Sequence, residues 1–398
     1  MQSLTIHIRN RLVPWSGVIL EFGLYLAVFS TFRSHATRQV ALAAVFLSWV
    51  LRHALTKGRE LNYLRHPIIT SMFVFTGMLF LSVFWSPDVV RSLNNYAASM
   101  GVVLLLALTI PDAFRTEEKL RYLLYVLVFS GVYVDAVQIL NHYRDFENGI
   151  FLTTNTINHY RSFSDSLIFY LPFMMALATL SKRGWAVACW ILVFLQLVLL
   201  GLTASRGAWA GAVAGLGVWI ALTLQKRVII AALSAIAVVA VVSTMIPENI
   251  VSAWAARGLW SAGRWEVAWT PACGAILANP FFGYGYGLWV YEDLVRPTLT
   301  ANGGIMGPHS NYLEIGLAAG VFALAALIAF YARFIERIVT YVRKRPLSLS
   351  TCMALAALTA FVAEYLVRGF VESVTWRHLG ILVGCGVAVL LQRQAART

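Results

Sequence analysis

Three observations predict an all-α, polytopic membrane fold. The 398-residue chain is 59% hydrophobic and 12% charged, with mean hydropathy +0.72; soluble domains run about half apolar and about a quarter charged. Its apolar residues form long runs separated by short charged or turn-rich punctuation, and Lys and Arg are unevenly shared between alternate breaks. Such a chain cannot cover itself with polar surface, which excludes a soluble enzyme or a nucleic-acid binder. The net charge of +13 is then explained by cytoplasmic loops rather than by an acidic partner. Cys189, Cys273, Cys352 and Cys385 lie far apart and form neither a disulfide framework nor a Cys-x-x-Cys pair.

A membrane helix takes about 20 mostly apolar residues. Twelve runs are read as spans: 14–32, 39–54, 67–86, 94–111, 120–140, 163–181, 184–204, 207–225, 228–246, 311–333, 347–367 and 375–391. Glu21 interrupts the first run and further spans follow it, so this run is read as a span and not as a cleavable signal. No linker, internal repeat or low-complexity stretch divides the chain, and 1–398 is read as one integral membrane domain. With the N-terminus in the cytoplasm, twenty of the Lys and Arg residues fall inside and eleven outside. The bias places both termini in the cytoplasm. All five lysines fall inside, so every outside cation is an arginine, whose planar fork matches phosphate oxygens. Translocation bias accounts for most of that count. It does not account for arginines lying beside the other polar features of the same face.

Two outside segments are long enough to carry a site, 247–310 and the smaller 141–162. The first holds Trp254, Trp260, Trp265, Trp269 and Trp289, with Trp265 and Trp269 four residues apart. Together with Val267, Ala268 and Ile276 this pattern predicts one or two amphipathic helices at the membrane surface, with aromatic-belt anchoring as the plain reading of the tryptophans.

Three patterns on this face point to chemistry. Thr203-Ala204-Ser205-Arg206-Gly207 sets an arginine among small residues at an apolar boundary, where the alternative is a snorkelling anchor. Gly263-Arg264-Trp265-Glu266 is followed by Asn279-Pro280-Phe281-Phe282-Gly283-Tyr284-Gly285-Tyr286-Gly287. Those glycines permit close backbone approach, either presenting N–H groups to an anion or forming a plain turn. Gly307-Pro308-His309-Ser310-Asn311-Tyr312 fixes a histidine just before the tenth span. Asp135 and Glu364 lie within spans, where a buried acid points to a functional site, but near the outer ends, where a hydrated position is at least as well expected. No outside Asp-x-Asp pair, zinc-type His/Cys spacing or phosphate-loop motif occurs in the sequence. Metal, cofactor and nucleotide are therefore not expected.

Twelve spans, an outer Ser-Arg-Gly, a long outside loop with an arginine, and His-Ser before the next span form a pattern that resembles the bacterial O-antigen ligase and O-antigen polymerase superfamily. The ligase pattern His-[Asn/Ser/Gln]-x9-Gly-x-x-[Gly/Thr/Tyr] is met by His309, Ser310 and Gly320, and departs at its last position, Ala323. The resemblance in topology covers nearly the whole chain; its motifs lie within about 200–325. It implies a GT-C-like glycosyltransferase of the bacterial inner membrane with its site facing the periplasm. Arg206, Arg264 and His309 would be its essential residues. It further implies glycan transfer from undecaprenyl diphosphate to a sugar hydroxyl of lipid A–core oligosaccharide.

The residue types suit that chemistry. A lipid diphosphate leaving group needs cations at the lipid–water boundary, a role for Arg206 and Arg264 in place of a metal. The acceptor hydroxyl needs a base, a role for His309. Direct attack would invert the anomeric carbon, and the diphosphate linkage supplies the driving force without a nucleotide. Arg161, with Asn155 and Asn158, and also Ser310 and Tyr284, are expected substrate contacts. A polymerase using a second lipid-linked repeat as acceptor is the first alternative. The second is a transporter of anionic lipids or solutes, which would show matched half-repeats and midplane charges. The orientation has a direct test: with the native cysteines replaced, a cysteine at Asn302 should react with an impermeant reagent in spheroplasts and one at Gln225 should not. Labelling of the second site alone overturns the topology.

Overall fold

The computed structural model describes residues 2–32, 34–56, 61–147, 157–203, 205–245, 265–295 and 307–395. Among the described residues every regular element is helical. Helices α1 (Gln2–Phe29), α2 (His35–Thr56), α3 (Pro67–Ser82), α4 (Val89–Ala113), α5 (Glu117–Glu147), α6 (Ile157–Leu180), α7 (Arg183–Leu202), α8 (Arg206–Thr223) and α9 (Lys226–Met245) precede the long loop. The loop carries α10 (Thr270–Ala278), entered through one wide turn at Trp265–Trp269. Helices α11 (Asn311–Arg343), α12 (Leu349–Val371) and α13 (Arg377–Ala395) complete the chain.

Each expected span falls on one of these helices. Nine helices among the described residues are long and apolar enough to cross a membrane, and Arg377–Gln392 is a shorter apolar helix. The spans expected at 207–225 and 228–246 lie on α8 and α9, of 18 and 20 residues. Local sequence explains several starts. Pro67 opens α3, and the His66 side chain accepts a hydrogen bond from the Ile68 N–H. Ser310 and Ser348 cap α11 and α12 by accepting from the N–H groups of Leu313 and Thr351.

Burial sorts the helices into centre and rim. Residues 349–361 of α12 are all buried, as are 378–389 of α13, so these two helices form the axis of the bundle. By contrast α7 leaves Val187, Ile191 and Leu195 exposed along one stripe, and Phe22 of α1 and Ile230 of α9 are likewise exposed. In lipid that exposure is the expected outer surface, since acyl chains are as apolar as leucine. Charges within the apolar runs are paired: Glu21 meets Lys119, and buried Asp112 meets His53 at 3.0 Å and also Arg115. Of the two readings of Asp135 and Glu364, burial holds and hydration does not. Both are buried; Asp135 accepts a hydrogen bond from Gln196 of α7, and Glu364 lies 3.4 Å from His378 Nδ1. Neighbouring helices close over their positions, which a one-dimensional reading of depth does not show.

The tenth span needs correction. At about 1.5 Å per residue a 33-residue helix is about 50 Å long, far beyond the roughly 30 Å apolar layer. It is broken at Gly320, with φ 74° and ψ −172°. The glycine-rich loop fills the break: Tyr284 N–H donates to the Leu317 carbonyl at 2.7 Å, Gly285 N–H to Ala318 at 3.0 Å, and Val321 N–H to Pro280 at 2.7 Å. Trp85, at the outer end of α3, donates to the Phe282 carbonyl at 2.7 Å. Residues 311–319 therefore run from the outer end of α12, which Asn311 contacts, to the outer end of α3. They lie across the end of the bundle that the sequence reading expects to face outside, and the rest of the apolar helix follows Gly320.

A side chain at Gly320 would adopt a left-handed conformation and meet the Pro280 and Phe281 backbone. Gly320→Ala should therefore cost at least about 1–3 kcal/mol, read as a lower unfolding temperature in detergent. An unchanged transition would show that the break is not held by this contact.

Candidate active site

Two helix starts named by the sequence, those of α8 and α11, converge on one segment at the end of α12. Helix α8 packs on α12 through Gly207, Gly211 and Gly215. A Cβ at Gly211 would strike the Ala363 carbonyl, and one at Gly215 would sit 3.0 Å from the Thr359 carbonyl. This is close helix approach through small residues, as in other membrane bundles. It brings Gly207 against Val371 and Glu372; Arg206, the residue before it, is half-buried.

The α11 start meets the same segment from the other side. Asn311 is fully buried and its side-chain oxygen accepts from the Val374 N–H at 2.8 Å. Ser373 donates to Glu314, and the Tyr312 hydroxyl donates to the Tyr365 carbonyl at 3.1 Å. Rings reinforce the junction, with Phe370 5.9 Å from Tyr312 and 5.7 Å from Trp269. His309 precedes this anchored start with φ 50°, an uncommon conformation for a residue with a side chain. Between Pro308, whose ring fixes its own φ, and the extended cap Ser310, the histidine backbone has little freedom. His309 itself is partly exposed.

Beneath this surface lies a buried ionic group. The Arg368 side chain is 2% exposed; it pairs with Asp165, donates from Nε to Glu372 at 2.7 Å, and donates to the Ser164 hydroxyl at 3.1 Å. Glu364 and His378 lie a turn deeper on α12 and α13. Burying a guanidinium without such partners would cost several kcal/mol, so Arg368 ties α6, α12 and the outer segment together.

The remaining expectations divide clearly. Arg264 and Asn155 lie outside the described residues. Arg161 and Asn158 lie in the first turns of α6, and their side chains are likewise outside the described set. The described residues of the expected outside segment 141–162 are helical, because α5 runs to Glu147 and α6 starts at Ile157. Both helices outrun the apolar stretches from which the spans were read. Anion binding by the glycine loop is not supported at Tyr284 and Gly285, whose N–H groups are taken by α11 carbonyls. The turn reading fits better: Gly283 and Gly285 have positive φ and press against Leu317 and Ser86. Tyr284 donates its hydroxyl to the Ala275 carbonyl at 3.1 Å. It lines an open depression of about 350 Å³ with Trp85, Pro87, Asn279, Phe282 and Gly283. Trp265 and Trp269 share a face as expected, their rings 5.6 Å apart. Among the described residues no cluster of His, Cys, Asp or Glu is arranged to hold a metal ion.

The sequence reading passed over Arg368, Glu372 and Asp165, and gave Asn311 no role beyond flanking His309. One signal was available: Arg368 and Glu372 are four apart, the spacing of a helical ion pair, at the very end of a span. Asp165 and Ser164 gave no such signal, since their partner is 203 and 204 residues away in the chain.

Comparison with known proteins adds two findings. Residues 191–328 match the family model described as O-antigen ligase. The chain is 27% identical over 342 residues to the O-antigen ligase of Salmonella typhimurium (strain LT2), covering 80% of this chain and 82% of that protein. The matched family region contains Arg206, Arg264, His309 and Gly320, and it ends before the 364–378 segment.

Proposed function

We propose that this chain, which is similar to O-antigen ligases over residues 191–328 and at 27% identity over 342 residues, is a member of that family and joins a lipid-linked glycan to lipid A–core oligosaccharide. The donor in this reading is a glycan on undecaprenyl diphosphate, and the acceptor is a sugar hydroxyl of the core. The reaction takes place on the periplasmic face of the inner membrane, with both termini in the cytoplasm and a GT-C-like architecture. The observation that carries it is the convergence of the Arg206 and His309 helix starts on residues 368–374.

In the proposed step the acceptor oxygen attacks the anomeric carbon as the bond from that carbon to the diphosphate oxygen breaks, with inversion. The hydroxyl proton passes to the His309 imidazole, and the electron pair leaves on the diphosphate. Arg206 and Arg264 stabilise that developing charge; arginine suits the role because its fork matches phosphate oxygens and stays charged. Arg161, Asn158 and Ser310 are assigned to substrate contact. Tyr284 joins them through the depression it shares with Trp85 and Phe282, whose exposed rings suit the flat face of a sugar. Ser310 keeps its hydroxyl hydrogen for such a contact, since its oxygen accepts from the Leu313 N–H. No nucleotide or nucleic acid takes part, and no cofactor is assigned.

The decisive assay mixes the purified full-length chain with undecaprenyl-diphosphate glycan and lipid A–core. Glycan on lipid A–core supports the ligase. Lengthening of the lipid-linked glycan would make the protein a polymerase instead.

Two expectations test the mechanism. His309→Ala should bind the lipid diphosphate normally while transfer falls by about a hundred- to ten-thousandfold. Equal loss of donor binding would make the histidine a phosphate ligand or a structural post. Excess EDTA should leave turnover within about twofold if arginines alone carry the leaving-group charge. Loss of activity restored by magnesium or manganese overturns that assignment.

A further inference from the structure

Resting on the reading of Arg206 as a diphosphate contact, we propose that Glu372, held by buried Arg368, is a positioning residue that sets Arg206 for the leaving group. Glu372 touches both ends of the relation. Its Oε2 accepts from Arg368 Nε at 2.7 Å, and its carboxyl carbon would stand 2.9 Å from a Cβ placed on Gly207, the residue after Arg206. The Glu372 side chain is 11% exposed and that of Arg368 is 2% exposed, so neither is a solvated surface charge with freedom to wander.

The charges are unequal, and this gives the arrangement its direction. Arg368 is shared by two carboxylates, Asp165 and Glu372. Asp165 approaches from α6, and Glu372 turns toward the first turn of α8. A carboxylate there faces the positive end of the α8 dipole, which favours it. The same carboxylate is one residue from the Arg206 backbone, close enough to bias where that guanidinium rests. Gly207 is what allows the approach, because any side chain there would push the carboxyl group aside. The α12 end thus supplies more than a packing surface: it carries an acid set against the first turn of α8.

Such a role differs from plain stabilisation in its coupling. If Glu372 acts through Arg206, its removal matters only while Arg206 is present. The test measures affinity of the full-length protein in nanodiscs for undecaprenyl diphosphate, with Glu372→Gln made in the wild type and in Arg206→Ala. Glutamine keeps the shape and an acceptor for Arg368 but removes the charge. Affinity should fall about tenfold in the wild type and change less than twofold in Arg206→Ala, a non-additivity within the range seen for neighbouring residues. Gly207→Ala should reproduce the loss, because its Cβ would stand 2.9 Å from the Glu372 carboxyl carbon and displace it.

An equal loss in both backgrounds would make Glu372 structural and overturn the proposal while leaving the assigned activity intact. Wild-type affinity in Gly207→Ala would also overturn it. Wild-type affinity in Arg206→Ala alone would remove the diphosphate role of Arg206, and the positioning role with it. Arg368→Lys guards against a misfolded Glu372 variant: a shorter point charge in the same place should weaken donor affinity in the same direction, and unchanged affinity counts against the proposal.

Discussion

The constraint on which this structure depends is that backbone polar groups have no water to turn to inside an apolar layer. Where α11 breaks at Gly320, the carbonyls of Leu317 and Ala318 and the N–H of Val321 would be left unpaired. The 280–285 loop answers each with its own backbone. That exchange holds residues 311–319 across the expected outer end of the bundle and carries His309 to the end of α12. Glycine is required on both sides of the exchange, at Gly320 for its left-handed conformation and at Gly283 for its contact with Leu317. The motif glycine eleven residues after the histidine is therefore a structural demand of the site and takes no direct part in chemistry.

A second organising feature is the segment 368–374. It receives α8 through Gly207, α11 through Asn311, α6 through Arg368, and the loop through Phe370. Small residues, an amide, an ion pair and an aromatic ring make four different kinds of contact within seven residues. Removing any one partner of the buried pair would leave a charge in apolar surroundings at a cost of about 3–5 kcal/mol. Evolution of a site on such a junction favours arginine over lysine, since a planar fork meets two carboxylates and a hydroxyl at once.

The ionic group at the opposite end of the bundle uses the same chemistry differently. Asp112 is held by His53 and Arg115 close to the expected cytoplasmic ends of their helices, and Glu21, midway along the first apolar run, is held by Lys119 at the start of α5. These pairs join neighbouring helices and make no opening. The outer group, by contrast, ends on two helix starts that present a half-buried arginine and a partly exposed histidine. The difference between a structural and a site-forming ion cluster here is what it holds in place.

The sequence by itself determined the helical membrane class and where the apolar runs lie along the chain, and it singled out Arg206 and His309. Those features are local: apolar run length, punctuation, and small residues flanking an arginine are all written within about twenty positions. Trp265 and Trp269 could be paired for the same reason, being one helical turn apart. What only the tertiary structure decided is which distant residues complete the surface. Arg368 finds Asp165 across some two hundred residues, Asn311 finds Val374, and Glu364 turns out to be buried against His378. The break in α11 was likewise hidden, because Gly320 in an apolar helix reads as an ordinary small residue until another backbone is seen lying against it. Depth and partnership depend on the packing of several helices, and no periodicity along one of them records it.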